Sequence, residues 1–230
     1  MKQVVTQGIV LSRTNFGEAD RILTILTPDQ GRIRAIAKGA RKIKSKLAGG
    51  IELFSISQIT FIQGKSDIYT LISTRLAKHF GKISSDIERT IYGYEILKLI
   101  NKSVEDNAEM AYFTILSNSL EALNQLEIPK EVIDLWVQAQ MLKLAGHSPN
   151  LTADSTHQKL SAERNYKFSI DTMTFVPYQH GMYRPNHIKL IRLAFSLPSP
   201  LQLGKVKDID TVLQPSLSLI KSMTHQYAHS

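Results

Sequence analysis

The first third of the chain carries five runs with the alternating or β-branched pattern of strands. They cover Gln3–Ser12, Ala19–Thr27, Arg32–Lys38, Ile51–Gln63 and Ile68–Arg75. Pro28-Asp29-Gln30-Gly31 separates the second run from the third, and Gly64-Lys65-Ser66-Asp67 separates the last two. The first of these segments predicts a turn, because proline presets φ and glycine accepts positive φ.

Five short strands within about eighty residues are typical of a small closed barrel, and the OB-fold is the leading prediction for this segment. The third run indicates how one strand faces the core. Alternate residues from Ile33 to Ala37 are aliphatic, whereas the opposite face carries Arg32, Arg34 and Lys38. The barrel is therefore expected to present a basic strand face to solvent.

After Phe80 the pattern changes to that of helices. Ser85-Asp86-Ile87-Glu88 has the form of a capping box, and apolar residues then repeat at helical spacing, at Ile87, Ile91, Tyr94 and Leu97. A second helix is predicted over Ala108–Leu126. A third is predicted to start at Pro129, a favoured first-turn residue, and to run toward Gly146. Its apolar positions are Val132, Ile133, Leu135, Trp136, Met141 and Leu144.

The remaining segment is irregular from His147 to about Pro185, with a hairpin pattern at Tyr166–Val176, and two short helices are predicted at Asn186–Ser196 and Pro215–Tyr227. The sequence thus predicts an α+β fold. An OB-fold β-barrel for nucleic-acid binding would occupy residues 1–80, and an α-helical domain residues 81–230. The helical domain would contain an irregular, cysteine-free insertion at 147–185.

Charge is distributed unevenly between these two parts. Residues 1–80 contain thirteen Lys and Arg but five Asp and Glu, so they carry the whole formal charge of +8, while residues 81–230 contain fifteen of each and are neutral. Residues 32–46 hold seven basic side chains and no carboxylate, which are Arg32, Arg34, Lys38, Arg41, Lys42, Lys44 and Lys46. A segregated cluster of this kind indicates a polyanionic partner.

This basic segment has three possible interpretations. As a solvated charge run it would have no function, although seven unbalanced like charges repel one another. As a membrane-surface element it lacks the aromatic and leucine face of interfacial helices. As a basic strand face leading into a flexible basic loop it fits a nucleic-acid backbone, which we favour. Few aromatic residues lie nearby, at Phe16, Phe54, Phe61 and Tyr69, and at least two are expected to face the core, so phosphate contacts should dominate.

Motifs for catalysis are missing from the sequence. It contains no GxxxxGK[ST], GxGxxG, HExxH or GxSxG pattern and no cysteine, so we expect a protein that is not an enzyme and has no cofactor. His180 and His187 are possible metal ligands, but exposed loop histidines are the simpler interpretation, and no metal site is predicted. The adjacent carboxylates Glu18 and Asp20 more readily form an ion pair with Arg21 or Arg13 than an acid–base pair.

The segment Thr6–Ser55, TQGIVLSRTNFGEADRILTILTPDQGRIRAIAKGARKIKSKLAGGIELFS, resembles the bacterial recombination mediator family RecO. The match is carried in order by GEADR at 17–21, AKGAR at 37–41, SKL at 45–47 and LF at 53–54. A weaker similarity covers LKLAGHSPNL at 142–151. The resemblance implies an OB-fold, a helical domain, binding of single- and double-stranded DNA and annealing of complementary strands.

The same resemblance implies protein partners: RecR, the acidic C-terminal tail of single-stranded DNA-binding protein and, indirectly, RecA, which is loaded onto DNA. Many relatives carry four cysteines after the helical domain, and this chain has none. We therefore expect a metal-free insertion, held by the side chains Tyr166, Phe168, Ile170, Phe175 and Val176. Lys98, Lys102 or Lys143 could rim a pocket for the acidic tail, or could be ordinary surface lysines.

The functional prediction is a DNA repair and recombination mediator that anneals strands and helps to load recombinase on DNA covered by single-strand-binding protein. The predicted DNA-binding residues are the seven of the basic segment, with Arg13 and Arg21 as additional members. An RNA-binding OB protein and a protein adaptor remain as alternatives. With no apolar stretch approaching eighteen residues, the expected location is the cytoplasm, in association with the nucleoid.

Overall fold

A computed structural model describes residues 3–63, 68–104 and 110–227. The predicted connection Gly64–Asp67 and the first two residues of the predicted helix Ala108–Leu126 lie outside the described residues. The chain folds as two compact units, Met1–Leu126 and Glu127–Ser230, and each is described by itself.

Five strands form a closed barrel in the first unit: β1 (Gln3–Phe16), β2 (Asp20–Thr27), β3 (Gly31–Ala37), β4 (Ser55–Ile62) and β5 (Tyr69–His79). Their order around the barrel is β1-β2-β3-β5-β4. The long strand β1 pairs with two neighbouring strands, since Ile9 lies opposite Leu26 on β2 and opposite Ile56 on β4. A parallel pairing of β3 with β5 closes the barrel. The predicted OB-fold and the α+β class are confirmed.

The barrel core is aliphatic, as the alternation along the chain predicts. Leu23, Ile25, Ile33, Ala35 and Ile59 are buried in it. On β3 the predicted inner face is confirmed, since Ile33, Ala35 and Ala37 are buried; on the predicted outer face Arg34 is exposed but Arg32 is half-buried. The turn before β3 also forms as expected, with Gly31 at a φ of +62°.

The aromatic residues of the barrel divide between the interior and the surface. Phe54 and Phe61 are buried, and Phe61 makes an edge-to-face contact with Tyr69 at 4.8 Å between ring centroids. Phe61 belongs to the barrel core cluster and Tyr69 packs against it, so two aromatic residues face the barrel core as expected, whereas the Phe54 ring lies against Gly93 and Tyr94. Phe16, at the end of β1, is 51% exposed.

Two helices complete the first unit, α1 (Ile87–Ser103) and α2 (Met110–Leu123). The helix cap is Asp86 rather than Ser85, since the Asp86 carboxylate accepts the backbone N–H of Arg89 at 2.9 Å. Of the four apolar positions predicted to repeat along α1, only Leu97 is buried, whereas Ile87, Ile91 and Tyr94 are exposed.

Two of the six buried residues of α1 are of types that do not indicate burial, and the six are Arg89, Tyr92, Gly93, Ile96, Leu97 and Ile100. Arg89 is buried and donates to the backbone oxygens of Leu123, Gln125 and Leu126, where α2 ends. Gly93 lies so close to the Phe54 ring that an added Cβ would come within 2.8 Å of it. An arginine and a glycine therefore share the inner stripe with Tyr92, Ile96, Leu97 and Ile100, and the exposed apolar residues lie on the opposite side.

The second unit contains α3 (Lys130–Leu144), the hairpin β6 (Tyr166–Ser169) and β7 (Thr174–Pro177), and the helices α4 (Pro185–Ser196), α5 (Pro200–Leu203) and α6 (Asp210–Tyr227). Helix α3 starts after Pro129 as predicted, and its Trp136 is buried with Nε1 donating to the Leu197 backbone oxygen at 2.9 Å. Helix α6 begins five residues before the predicted start, and Pro215 lies inside it.

The predicted hairpin at 166–176 is confirmed, and aromatic rings pack around it. Tyr166 and Phe175 are fully buried, and the Phe175 ring has edge-to-face neighbours in Phe168, at 4.9 Å, and Tyr183, at 5.9 Å. Backbone hydrogen bonds run both ways between Tyr166 and Tyr183. Gly181 allows this pairing, because an added Cβ would come within 2.3 Å of the Tyr166 backbone. Ile170 and Val176, also expected there, are half-buried.

Candidate nucleic-acid interface

Six of the predicted DNA-binding side chains are exposed and follow one another along the barrel surface. They are Arg34 on β3 and, beyond the end of that strand, Lys38, Arg41, Lys42, Lys44 and Lys46. We call these six residues the basic surface. Arg34 and Lys38 point outward because the intervening residues of β3 alternate into the core. The other four lie on turns that connect β3 to a short 3₁₀ helix at Ala48–Gly50.

The basic loop, residues 38–47, was expected to be flexible, yet it is anchored at several points. Ala40 and Leu47 are buried in the barrel core cluster. Backbone hydrogen bonds from Lys42 to Gly39 and from Ser45 to Lys42 form successive turns, at 3.0 and 2.9 Å. Thr74 of β5 donates its hydroxyl to the Leu47 backbone oxygen at 3.2 Å. Apolar anchors and turns therefore hold the cationic side chains outward from a defined backbone.

Three hydrogen bonds join this loop to the turn between β1 and β2. The Asp20 carboxylate accepts the backbone N–H of Gly39 at 2.7 Å. The backbone N–H of Arg41 donates to the oxygen of Ala19 at 2.9 Å, and the Arg41 guanidinium donates to the oxygen of Gly17 at 3.3 Å. Asp20 thus shapes the loop by accepting a backbone N–H. The β1–β2 turn and the basic loop form one corner of the barrel.

The three other predicted DNA-binding residues have contacts inside the first unit. Arg32 is half-buried and donates to the backbone oxygen of Asn101 at 2.8 Å, near the C-terminal end of α1. The Arg13 guanidinium forms an ion pair with Glu52 at 2.7 Å, in place of the pairing with Glu18 or Asp20 that the sequence suggested. Arg21 is half-buried on β2, opposite Asn15 of β1 and Ala37 of β3. Periodicity did not reveal the contact of Arg32, because it joins residues 69 positions apart.

The basic surface is suited to holding a chain of phosphates. Its exposed cations follow a strand and a loop in sequence, so they can contact successive phosphates, and each phosphate neutralised releases counterions. Acidic side chains lie at its margin, where Asp20 is hydrogen-bonded to Gly39 and Glu18 is exposed on the β1–β2 turn. The arrangement is suited to electrostatic binding and positioning, which require no proton transfer or nucleophile.

Histidines do not assemble into a metal site in the described part of the chain, where no three His, Asp or Glu side chains form a group able to hold a metal ion. His180 is exposed, as the sequence suggested. His187 is instead buried on the first turn of α4, and its Nδ1 accepts the Arg184 backbone N–H at 3.0 Å. Burial lowers the pKa of His187 below its ordinary value of 6.5.

The three lysines considered for a peptide pocket belong to different elements. Lys98 and Lys102 are exposed on α1 in the first unit. In the second unit, the Lys143 ammonium donates to the Phe195 backbone oxygen at 3.3 Å, at the C-terminal end of α4. This contact is the usual one for a cation at a helix C-terminus.

Comparison with known families accounts for both parts of the chain. The family model described as the N-terminal part of recombination protein O matches residues 1–80, and the model described as its C-terminal part matches residues 84–227. The chain belongs to the RecO family. The first match covers the barrel with its basic surface, and the second covers all the helices from α1 to α6.

Relatives named DNA repair protein RecO show the same membership. The protein from Dehalococcoides mccartyi is 36% identical over 163 residues, which are 70% of this chain and 64% of the relative. That from Acetivibrio thermocellus is 33% identical over 65% of this chain and 59% of its own length. That from Roseiflexus sp. is 35% identical over 88% of this chain and 67% of its own length. The matched region therefore spans 59% to 67% of the length of these RecO relatives.

Hydropathy adds one finding about the helices. Among the described residues, none of the helices combines the length and the apolar character needed to cross a membrane.

Proposed function

We propose that this protein is a DNA repair and recombination mediator that binds DNA through the basic surface and anneals complementary strands. The observation that carries the proposal is the run of six exposed cations along β3 and the loop that follows it. Membership in the RecO family and the name of the relatives, DNA repair protein, favour DNA over RNA as the polyanion. The RNA-binding alternative shares the exposed cations but not the support from the names of the relatives, and the adaptor alternative gives these cations no role.

Annealing by such a surface needs no catalytic group, and we propose a protein that is not an enzyme. Two DNA strands repel each other through their phosphates, and a cationic surface lowers this repulsion while the bases find register. The anchored backbone of the basic loop presents its charges without a large ordering cost on binding. The solvent-directed side chains keep enough freedom for a bound strand to shift.

The proposed partners are those that the resemblance to the RecO family implies. They are RecR, the C-terminal tail of single-stranded DNA-binding protein and, through the DNA, RecA. Loading of recombinase on a strand covered by single-strand-binding protein requires contact with both the DNA and the covering protein. The proposed division gives DNA binding to the barrel, where the formal charge of the chain lies, and leaves protein contacts to its neutral remainder. An association with the nucleoid in the cytoplasm would follow from this DNA binding.

The test replaces three lysines of the basic loop by alanine, K42A/K44A/K46A. For the unmodified protein on single-stranded DNA, the logarithm of the binding constant should fall with the logarithm of the salt concentration. The slope should be about −3.5 if five phosphates are neutralised. The variant should flatten this slope by about 2, because each lost phosphate contact contributes about 0.7. Annealing of complementary oligonucleotides coated with single-strand-binding protein should slow in parallel.

The control is K159A/K205A/K207A, which removes the same charge from exposed lysines of the second unit. It should leave both the salt slope and the annealing rate unchanged. Equal losses in the two variants would show that net charge matters and the basic surface does not. A slope near zero in the unmodified protein would overturn the proposed DNA binding altogether, and tighter binding of a matched RNA strand would favour the RNA alternative.

A further inference from the structure

Phe16 is an aromatic side chain left at the barrel surface. It is the last residue of β1, lies opposite Asp20 across the β1–β2 ladder and is 51% exposed. Phe54 and Phe61 are buried, and Tyr69 is half-buried against the Phe61 ring. Burial of apolar area stabilises a fold, so a phenylalanine exposed to this extent at a strand end contributes less to stability than its size allows.

The surroundings of Phe16 connect it to the basic surface. The next residue, Gly17, has a φ of +54° and offers its backbone oxygen to the Arg41 guanidinium at 3.3 Å. Two residues further on, the Ala19 oxygen accepts the Arg41 backbone N–H. The Asp20 carboxylate, across the ladder from Phe16, holds the N–H of Gly39. Phe16 is therefore fixed at the corner where the β1–β2 turn meets the basic loop.

We propose that Phe16 stacks on an unpaired base of a strand whose phosphates lie on the basic surface, which makes this surface prefer single strands to duplexes. The inference rests on the proposed DNA binding and adds to it. Cations contact phosphates in any nucleic acid, but the face of a base is open to a protein ring only when the base is not stacked in a duplex. An aromatic ring beside a phosphate-binding loop supplies this second contact.

The chain offers a matched control in Ile43. This side chain lies between Lys42 and Lys44 on the basic loop and is 105% exposed, so it contributes nothing to the core. It is apolar like phenylalanine but has no ring to stack on a base. Replacing it by alanine removes apolar surface from the same region and keeps every charge.

The experiment measures binding of F16A, F16W and I43A to three DNA probes at one salt concentration. The probes are an oligothymidylate, the same oligomer with abasic positions, and a duplex of equal length. F16A should bind the oligothymidylate about tenfold more weakly, as expected for the loss of one stacked base, and the duplex as before. F16W should retain the affinity, and I43A should reduce it less than F16A. On the abasic oligomer the unmodified protein and F16A should bind equally.

The outcomes separate this inference from the proposed function. If F16A weakens binding to the duplex and to the abasic oligomer as much as to the oligothymidylate, Phe16 does not stack and its role is structural. If F16W fails to restore binding, an aromatic contact is likewise excluded. Loss of DNA binding in K42A/K44A/K46A together with unchanged binding in F16A would retain the basic surface and reject the stacking. F16A is expected to fold, because the Phe16 side chain is 51% exposed. Unfolding curves followed by circular dichroism check this.

Discussion

Arg32 and Arg34 lie two residues apart on the same outer face of β3, yet their surroundings differ. Arg34 is exposed, and Arg32 is half-buried with its guanidinium on the Asn101 backbone oxygen. The last carbonyls of a helix lack partners within the helix, so an arginine there both hydrogen-bonds and interacts favourably with the helix dipole. Two arginines on the same face of one strand are therefore expected to differ in function.

The variants R32A and R34A should separate the two roles. R32A should lower the free energy of unfolding by about 1–2 kcal/mol, because a charged hydrogen bond to the end of α1 is lost. R34A should leave stability within about 0.5 kcal/mol of the unmodified protein, as is usual for an exposed residue, and should weaken DNA binding. Denaturant unfolding and fluorescence anisotropy with labelled DNA measure the two quantities. Equal destabilisation by both substitutions would contradict the assignment.

His187 gives the second unit a pH dependence. Burial lowers its pKa, so the unfolded chain binds a proton at a higher pH than the folded protein does. The stability associated with the neutral imidazole is present above the ordinary pKa of 6.5 and is lost as the pH falls below it. H187N keeps an acceptor for the Arg184 N–H without titrating in this range. Between pH 7.5 and pH 5 the melting temperature should therefore fall less for H187N than for the unmodified protein. Parallel plots of melting temperature against pH for the two proteins would refute the expectation.

At the scale of elements, the basic loop and the β1–β2 turn act as one unit because Asp20 holds Gly39. Glu18, on the same turn, is exposed. Both are carboxylates beside the proposed phosphate-binding surface, so long-range electrostatics alone predicts that removal of either strengthens DNA binding. Anchoring of the loop predicts opposite effects for the two residues.

E18A should strengthen binding of single-stranded DNA by about two- to threefold, since a repulsive charge disappears within about a Debye length. D20A should weaken it in spite of the same gain in net charge, because the loop loses the acceptor that fixes Gly39. D20N, which keeps a side-chain oxygen, should lie between them. Stronger binding in D20A would show that the anchored conformation of the loop does not matter. Titrations at one salt concentration are sufficient to rank the three variants.

The sequence predicted most elements, and each failure has an identifiable physical cause. In β3 and α3 most of the apolar positions of the sequence are buried, so both elements were predicted correctly. On α1, the inner stripe contains Arg89, whose hydrogen bonds to the end of α2 cannot be read from residue type. At α6, Pro215 was interpreted as a helix start, although the helix begins at Asp210 and accommodates it. Contacts distant in sequence account for the first failure and a misleading proline for the second.

For the whole molecule, the sequence located the cationic segment but not its division of roles. Counting charges placed the excess in the first eighty residues, the same span that the family model of the N-terminal part matches. The pairing of Arg13 with Glu52 and of Arg32 with Asn101 depends on the closed barrel and its first helix, which are products of the tertiary fold. Residue type alone could not separate these two arginines from the six exposed cations.

The order in which the strands pair bears on how the chain reaches its folded state. Strands β1, β2 and β3 are neighbours in sequence and form a meander, whose outer members β1 and β3 would expose unpaired backbone groups. Strand β4 covers β1, β5 covers β3, and β4 pairs with β5, so the last hairpin seals both edges at once. Until residue 79 has left the ribosome, the nascent barrel therefore keeps two edges open to intermolecular pairing. Closure depends on contacts between residues 34 positions apart for β3 with β5 and 47 to 59 positions apart for β1 with β4, which makes it the slow step expected of non-local topology.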